Sequence, residues 1–128
     1  MKYRIIESPY STTSYREDFN AVQLLTEVPA IAIKVMGYWC GYVGIFPNHS
    51  LYEVLYPELE VHGGVTYSNL SSIRDKMAEV KKVWWIGFDC GHYDDYLPGF
   101  PELYSSANYK DIDYVIAELE HLIEQLYS

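Results

Sequence analysis

The chain has 128 residues and a formal net charge of -9, from 18 acids against 9 Lys plus Arg, and 14 of its residues are tyrosines. That length buries a core without disulfide staples and fits one domain spanning 1–128. The negative field opposes generic binding to DNA, RNA or anionic membrane, whose charged groups call for cations, and it permits docking on a basic protein surface.

Lys2 to Glu7 reads as a first strand, ended by Ser8-Pro9. Ser14 and Glu17 have capping-box spacing, and Tyr15, Phe19, Val22 and Leu25 follow at helical spacing, which predicts a helix over Ser14 to Glu27. Ala30 to Met36 alternates as a strand, with Ile31, Ile33 and Val35 on one face and Ala30, Ala32 and Lys34 on the other. The small residues leave room for a helix to pack closely. Lys34 on that face either snorkels to an edge or supplies positive charge to an anionic ligand. Gly37 turns the chain into a second strand, Tyr38 to Phe46. Pro47-Asn48-His49-Ser50 is a loop. Leu51 to Tyr56 reads as a short turn closed by Pro57, and Leu59 to Tyr67 as a strand containing Gly63-Gly64.

A modest helix is expected within Asn69 to Lys82, with Ile73, Met77 and Val80 on one side. This stretch and its end hold Arg74, Lys76, Lys81 and Lys82, the main local concentration of positive charge. Val83 to Cys90 is the expected central strand, and Gly91 to Ala107 is loop-rich. Ile112, Val115, Ile116, Leu119, Leu122, Ile123 and Leu126 form one apolar stripe of a terminal helix, with Asn108 or Asp111 as its cap. This order of elements predicts an α+β fold, a mostly antiparallel sheet with packed helices.

The stretch Trp84-Trp85-Ile86-Gly87-Phe88-Asp89-Cys90-Gly91-His92-Tyr93-Asp94-Asp95-Tyr96 opens from an apolar strand into ionisable groups, a frequent way to place ligand contacts at a sheet edge. In the segment around Gly64, alternation would put His62, Gly64 and Thr66 on one face. In the Trp85 strand it would put Trp85, Gly87 and Asp89 together, with Cys90 on the core face. If the two strands are neighbours, their glycine gaps line one shallow pocket, so His62, Gly64, Thr66, Trp85, Asp89 and His92 are the candidate ligand contacts. A β-bulge packed under a helix is the bland alternative. Tyr93, Asp94, Asp95 and Tyr96 are the candidate partner contacts. The glycine pattern lacks the spacing of a P-loop or a dinucleotide fingerprint, so no cofactor is expected. No Cys-x-x-Cys or His-x-x-x-His spacing supports a metal site.

The start of the chain lacks the apolar stretch of a secretory signal, and no apolar run approaches a membrane span. Two cysteines, Cys40 and Cys90, then point to reduced thiols in a cytoplasm.

The strings Gly41-Tyr42-Val43-Gly44, Val61-His62-Gly63-Gly64-Val65-Thr66-Tyr67-Ser68, Trp84 to His92 and Tyr109-Lys110-Asp111-Ile112-Asp113-Tyr114-Val115 resemble a family of small uncharacterised proteins encoded by bacteriophages, prophages and other mobile elements. The resemblance runs from about Gly37 to the C-terminus. It departs after His92, where Tyr93-Asp94-Asp95 stands in place of a small residue followed by Gly-Asp. It implies an accessory protein in the cytoplasm of an infected bacterium that counters a host defence by binding. Either it blocks a host defence protein with an acidic, tyrosine-bearing surface, or it sequesters a nucleotide-derived signal by aromatic stacking. A tyrosine-rich surface is also compatible with a homodimer. The competing class is a small hydrolase using His62, Asp89, Cys90 and His92, with or without a metal.

Overall fold

The computed structural model describes residues 2–9, 19–91 and 110–127. Its elements are β1 (Tyr3–Ile5), β2 (Ala21–Leu24), β3 (Ala30–Val35), β4 (Tyr38–Ile45), β5 (Tyr67–Asn69), α1 (Ser72–Ala78), β6 (Trp84–Asp89) and α2 (Ile112–Tyr127). The strands form one sheet in the order β1-β2-β3-β4-β6-β5. Every neighbouring pair is antiparallel. With two helices on that sheet the fold is α+β, as the order of sequence elements predicts.

Alternation along the strands divides the core between two faces. On one, Ala30, Ala32, Trp39, Val43, Trp84, Ile86 and Phe88 meet Val115, Leu119 and Leu122 of α2. Ile112, Val115, Ile116, Leu119, Leu122 and Leu126 are all buried, so the apolar stripe read from the sequence is the packed face of the helix. Each such side chain contributes roughly 1.5–3 kcal/mol on burial. Gly41 lets this layer close: a Cβ there would lie 2.5 Å from Phe88 Cε1 and 3.0 Å from Leu119 Cδ2. Asp111 caps the helix, its Oδ1 accepting the Tyr114 N–H at 3.0 Å. Asn108 lies outside the described residues.

On the other face Ile31, Ile33, Cys40, Tyr42, Val83 and Trp85 pack with Ala78 of α1, with Met77 beside them. The buried positions of α1 are Arg74 and Ala78, whereas Ile73 is 43% exposed. Of the expected Ile73, Met77 and Val80 side, Met77 and Val80 pack against this cluster and Ile73 is corrected to an exposed position: Arg74 turns inward because aromatic rings, described below, receive it.

Four further expectations change. Ala21–Leu24 is a strand and not the end of a helix, because Ala21, Val22 and Leu24 are buried between β1 and β3, where ladder pairing outweighs a coincident three-residue spacing. Ser14 and Glu17 lie outside the described residues. The expected strand over Leu59 to Tyr67 shrinks to Tyr67–Asn69, since Gly63 (φ 70°) and Gly64 (φ 78°) adopt left-handed conformations that end a strand. β6 is not central but second from the β5 edge. Lys34 does not snorkel: it is fully enclosed, its Nζ 5.1 Å from the Trp39 ring centroid.

Candidate functional site

The structure does not assemble one pocket from the six nominated ligand contacts. Trp85 has no exposed surface, sits on the α1 face and donates its indole N–H to Asp75 Oδ1 at 2.8 Å. His62 lies on the α2 side, its Nδ1 2.8 Å from the Tyr114 hydroxyl and its N–H bonded to Glu118 Oε1 at 2.8 Å. The pairing of His62 with Trp85 is thus corrected, because the turn at Gly63-Gly64 takes His62 out of the sheet. The gap at Gly87 is also filled: a Cβ there would stand 2.5 Å from Tyr42 Cδ1. Thr66 and Asp89 do meet, with the threonine hydroxyl donating to Asp89 Oδ2 at 3.2 Å while the Gly91 N–H takes Oδ1 at 3.0 Å. Gly64 faces open space. His92, Tyr93, Asp94, Asp95 and Tyr96 lie outside the described residues.

The hydrolase set fares no better as geometry. Cys90 is 1% exposed and packs in the α2-side core, whereas its neighbour Asp89 alternates to the other face. Cys40 is also buried. Burial, reinforced by the Asp89 carboxylate, pushes its thiol up to about 12, which keeps it protonated and poorly nucleophilic. Among the described residues no group of three or more His, Cys, Asp and Glu is placed to hold a metal ion.

What the structure does build is a cleft between the loop after β4 and α2. His49 anchors one end. Its Nδ1 accepts the Leu51 N–H at 3.0 Å, so the ring proton sits on Nε2 and is donated to the Leu126 carbonyl at 2.7 Å, satisfying an otherwise orphaned group in the last turn of the helix. Tyr127 adds a second tie, its hydroxyl donating to the Gly44 carbonyl at 3.2 Å and accepting the Phe46 N–H at 3.3 Å. Gln125 and Glu60 exchange two bonds of 2.8 Å, and His62 closes the other end on Glu118 and Tyr114. Tyr114, Glu118, His121 and Gln125 follow each other at three- and four-residue steps, so one stripe of α2 faces the loop. Tyr56, Pro57, Glu58, Leu59, Glu60, Gly64, Val65 and Gln125 line a cleft of about 650 Å³ there.

Beside the cleft, Val54, Leu55 and Tyr56 stand 37%, 65% and 57% exposed. The chain turns through left-handed conformations at Glu53 (φ 63°) and Tyr56 (φ 46°), neither a glycine. Such residues cost on the order of 1 kcal/mol each and persist only where surroundings enforce them. Here the Trp84 indole holds the Val54 carbonyl at 3.0 Å and Ser68 Oγ takes the Tyr56 N–H at 2.7 Å. No Lys or Arg occurs in 35–73 or 111–128, while these segments carry Glu53, Glu58, Glu60, Asp111, Asp113, Glu118, Glu120 and Glu124. The loop and helix that form the cleft are thus rich in acids, and the one cation seen against them among the described residues is Lys110, its Nζ 5.5 Å from the Tyr114 ring centroid. Reading the sequence for local motifs missed Tyr56, Glu58 and Glu60; the run of 39 residues without Lys or Arg was the available signal.

On the α1 face, Arg74 is 9% exposed, its guanidinium carbon 4.0 Å from the Tyr42 ring centroid and 4.2 Å from that of Tyr67. Its Nη1 donates to the Tyr67 hydroxyl at 3.0 Å and to Ser71 Oγ at 3.3 Å, and no carboxylate among the described residues pairs with it. The two rings stand edge to face, 5.2 Å apart. Cation–π contact with two faces replaces an ion pair here.

Among the described residues no helix is long and apolar enough to cross a membrane. Comparisons of the chain with family models, with curated proteins and with solved structures return no match.

Proposed function

We propose that this chain is a phage-type accessory protein that counters a host defence by binding, and that it does so with the acidic, apolar-ridged face formed by 51–66 and α2. The single observation that carries this reading is the exposure of Val54, Leu55 and Tyr56 beside Glu58 and Glu60, in a stretch of sequence, 35–73, without Lys or Arg. An exposed apolar cluster beside acidic side chains is the pattern of a docking surface for a basic partner. The partner is a host defence protein with a basic site.

The version in which a nucleotide signal is sequestered loses its stacking platform, because Trp85 is enclosed. The hydrolase reading loses its thiol in the same way. The test is phage plating on bacteria that each carry one defence system and express the chain. Restored plating against one system, lost on Glu58→Lys with Glu60→Lys in a protein of unchanged melting temperature, supports the reading. Restoration that survives the charge reversal, or none across a broad panel of systems, overturns it.

A further inference from the structure

The two sheet edges differ. At β5 the preceding loop is tied to an edge-strand side chain, the Tyr56 N–H bonded to Ser68 Oγ. At β1 the outer edge is bare among the described residues. Lys2 and Ile6 spend their main-chain groups on β2, through Leu25 N–H to the Lys2 carbonyl at 2.9 Å and Ile6 N–H to the Ala21 carbonyl at 3.1 Å. Alternation then turns the N–H and C=O of Tyr3 and Ile5 away from the sheet. Ile5 is 62% exposed. Beside this strand runs a groove of about 720 Å³ between β1 and α1, with Ile6, Ile73 and Met77 in its lining.

We infer that β1 pairs with β1 of a second copy of this chain, antiparallel about a two-fold axis at Ile5, to make one continuous sheet through both molecules. Three observations select a second copy as the occupant. First, the charges around the edge are of both signs: Arg4 and Glu79 pair within the chain at 3.8 Å, which leaves Lys2 and Lys76 against Glu7 for a two-fold axis to set against each other. Second, a chain of charge -9 repels its own copy, and β1 is the sheet edge opposite β5 and the loop tied to it, which carries Glu53, Glu58 and Glu60. Third, the register is constrained. Centring on Arg4 would oppose two guanidinium groups, whereas centring on Ile5 sets Ile5 against Ile5 and brings Tyr3 opposite Glu7. That register uses every outward main-chain group of the strand. Because a two-fold pairing spends the β1 edge of both copies on each other, it closes as a dimer and does not propagate as a filament. The proposed host-docking face stays free in both copies, so the inference does not depend on that function.

The test is molar mass in solution, by sedimentation or light scattering, at about 100 μM, above the micromolar Kd that a small interface supports. Twice the chain mass of 14.9 kDa is expected. Ile5→Pro deletes an outward N–H and no bond to β2, so the variant should be monomeric with an unchanged circular dichroism spectrum. Should that variant misfold, Ile5→Lys places a charge at an already exposed position and should give the same monomer. As a control, Leu55→Lys on the opposite side should remain dimeric. A monomeric wild type at that concentration, or a dimer that persists in both Ile5 variants or is broken by Leu55→Lys alone, overturns the inference.

Discussion

The Tyr42 ring occupies the space that a side chain at Gly87 would need. These residues are direct cross-strand partners in β4 and β6, and Tyr67 flanks Gly87 from β5. A Cβ at Gly87 would lie 2.5 Å from Tyr42 Cδ1 and 2.8 Å from the Gly41 carbonyl oxygen. The missing side chain is therefore a seat for a ring, and the ring in turn carries Arg74. Gly87→Ala is expected to cost about 2 kcal/mol or more, because the backbone carbonyl can give way only by distorting the β4–β6 ladder. Urea unfolding measures this directly. An unchanged midpoint would mean that Tyr42 does not need the vacancy.

Arg74 should resist conservative replacement. Lysine keeps the charge and loses the planar group that stacks on two rings, so Arg74→Lys is expected to destabilise by about 1–2 kcal/mol. Tyr67→Phe removes one hydrogen-bond partner, spares the stack and should cost about 1 kcal/mol. A larger loss for Tyr67→Phe than for Arg74→Lys in thermal unfolding would contradict the stacking account.

Alkaline pH should weaken the fold through Cys40. Its thiol is raised from 9.0 to about 12, first by burial and then by the Asp89 carboxylate. A raised acid binds its proton more tightly in the folded state. Its contribution is complete below the unfolded pKa near 9 and is lost as pH climbs from there through 12. Tyr42 shifts in the same direction, chiefly by burial. The melting temperature should fall from pH 8 to pH 10.5, and less steeply in Cys40→Ala. Parallel profiles for the two proteins would rule out the thiol. Both cysteines should also stay unmodified by a thiol reagent until the chain unfolds.

His49 joins the loop to the end of α2 through both ring nitrogens. His49→Ala should cost about 1–2 kcal/mol and speed amide exchange at Leu51, with the sheet amides unaffected. Protection at Leu51 equal to wild type would show that Tyr127 and Gln125 suffice to hold the loop.

The strands from Ala30 to Ile45, the Trp84 strand and the terminal helix were legible because their hydrophobic periods are long and unbroken. β2 was not, since Phe19, Val22 and Leu25 match a helical step as well as Ala21–Leu24 matches a strand, and only pairing with β1 and β3 decides between them. Gly63-Gly64 was read as a gap in a strand when it is a left-handed turn; a glycine's identity fixes what its backbone is allowed and not what it adopts. The pocket expected between His62 and Trp85 failed for that reason. Arg74 at the core had no local signal, because its receiving rings come from β4 and β5. The acidic face was visible only as the spacing between Lys34 and Arg74, a pattern on a longer scale than any motif.

The most direct measurement of the central claim is phage plating efficiency on a defence-bearing strain, compared across matched charge reversals on two faces. The expected result is that Glu58→Lys with Glu60→Lys abolishes protection of the phage, whereas Lys81→Glu with Lys82→Glu, equally exposed on the α1 side, leaves it intact. Loss of protection in the second pair alone, or equal plating with both, would contradict the assignment of the docking face.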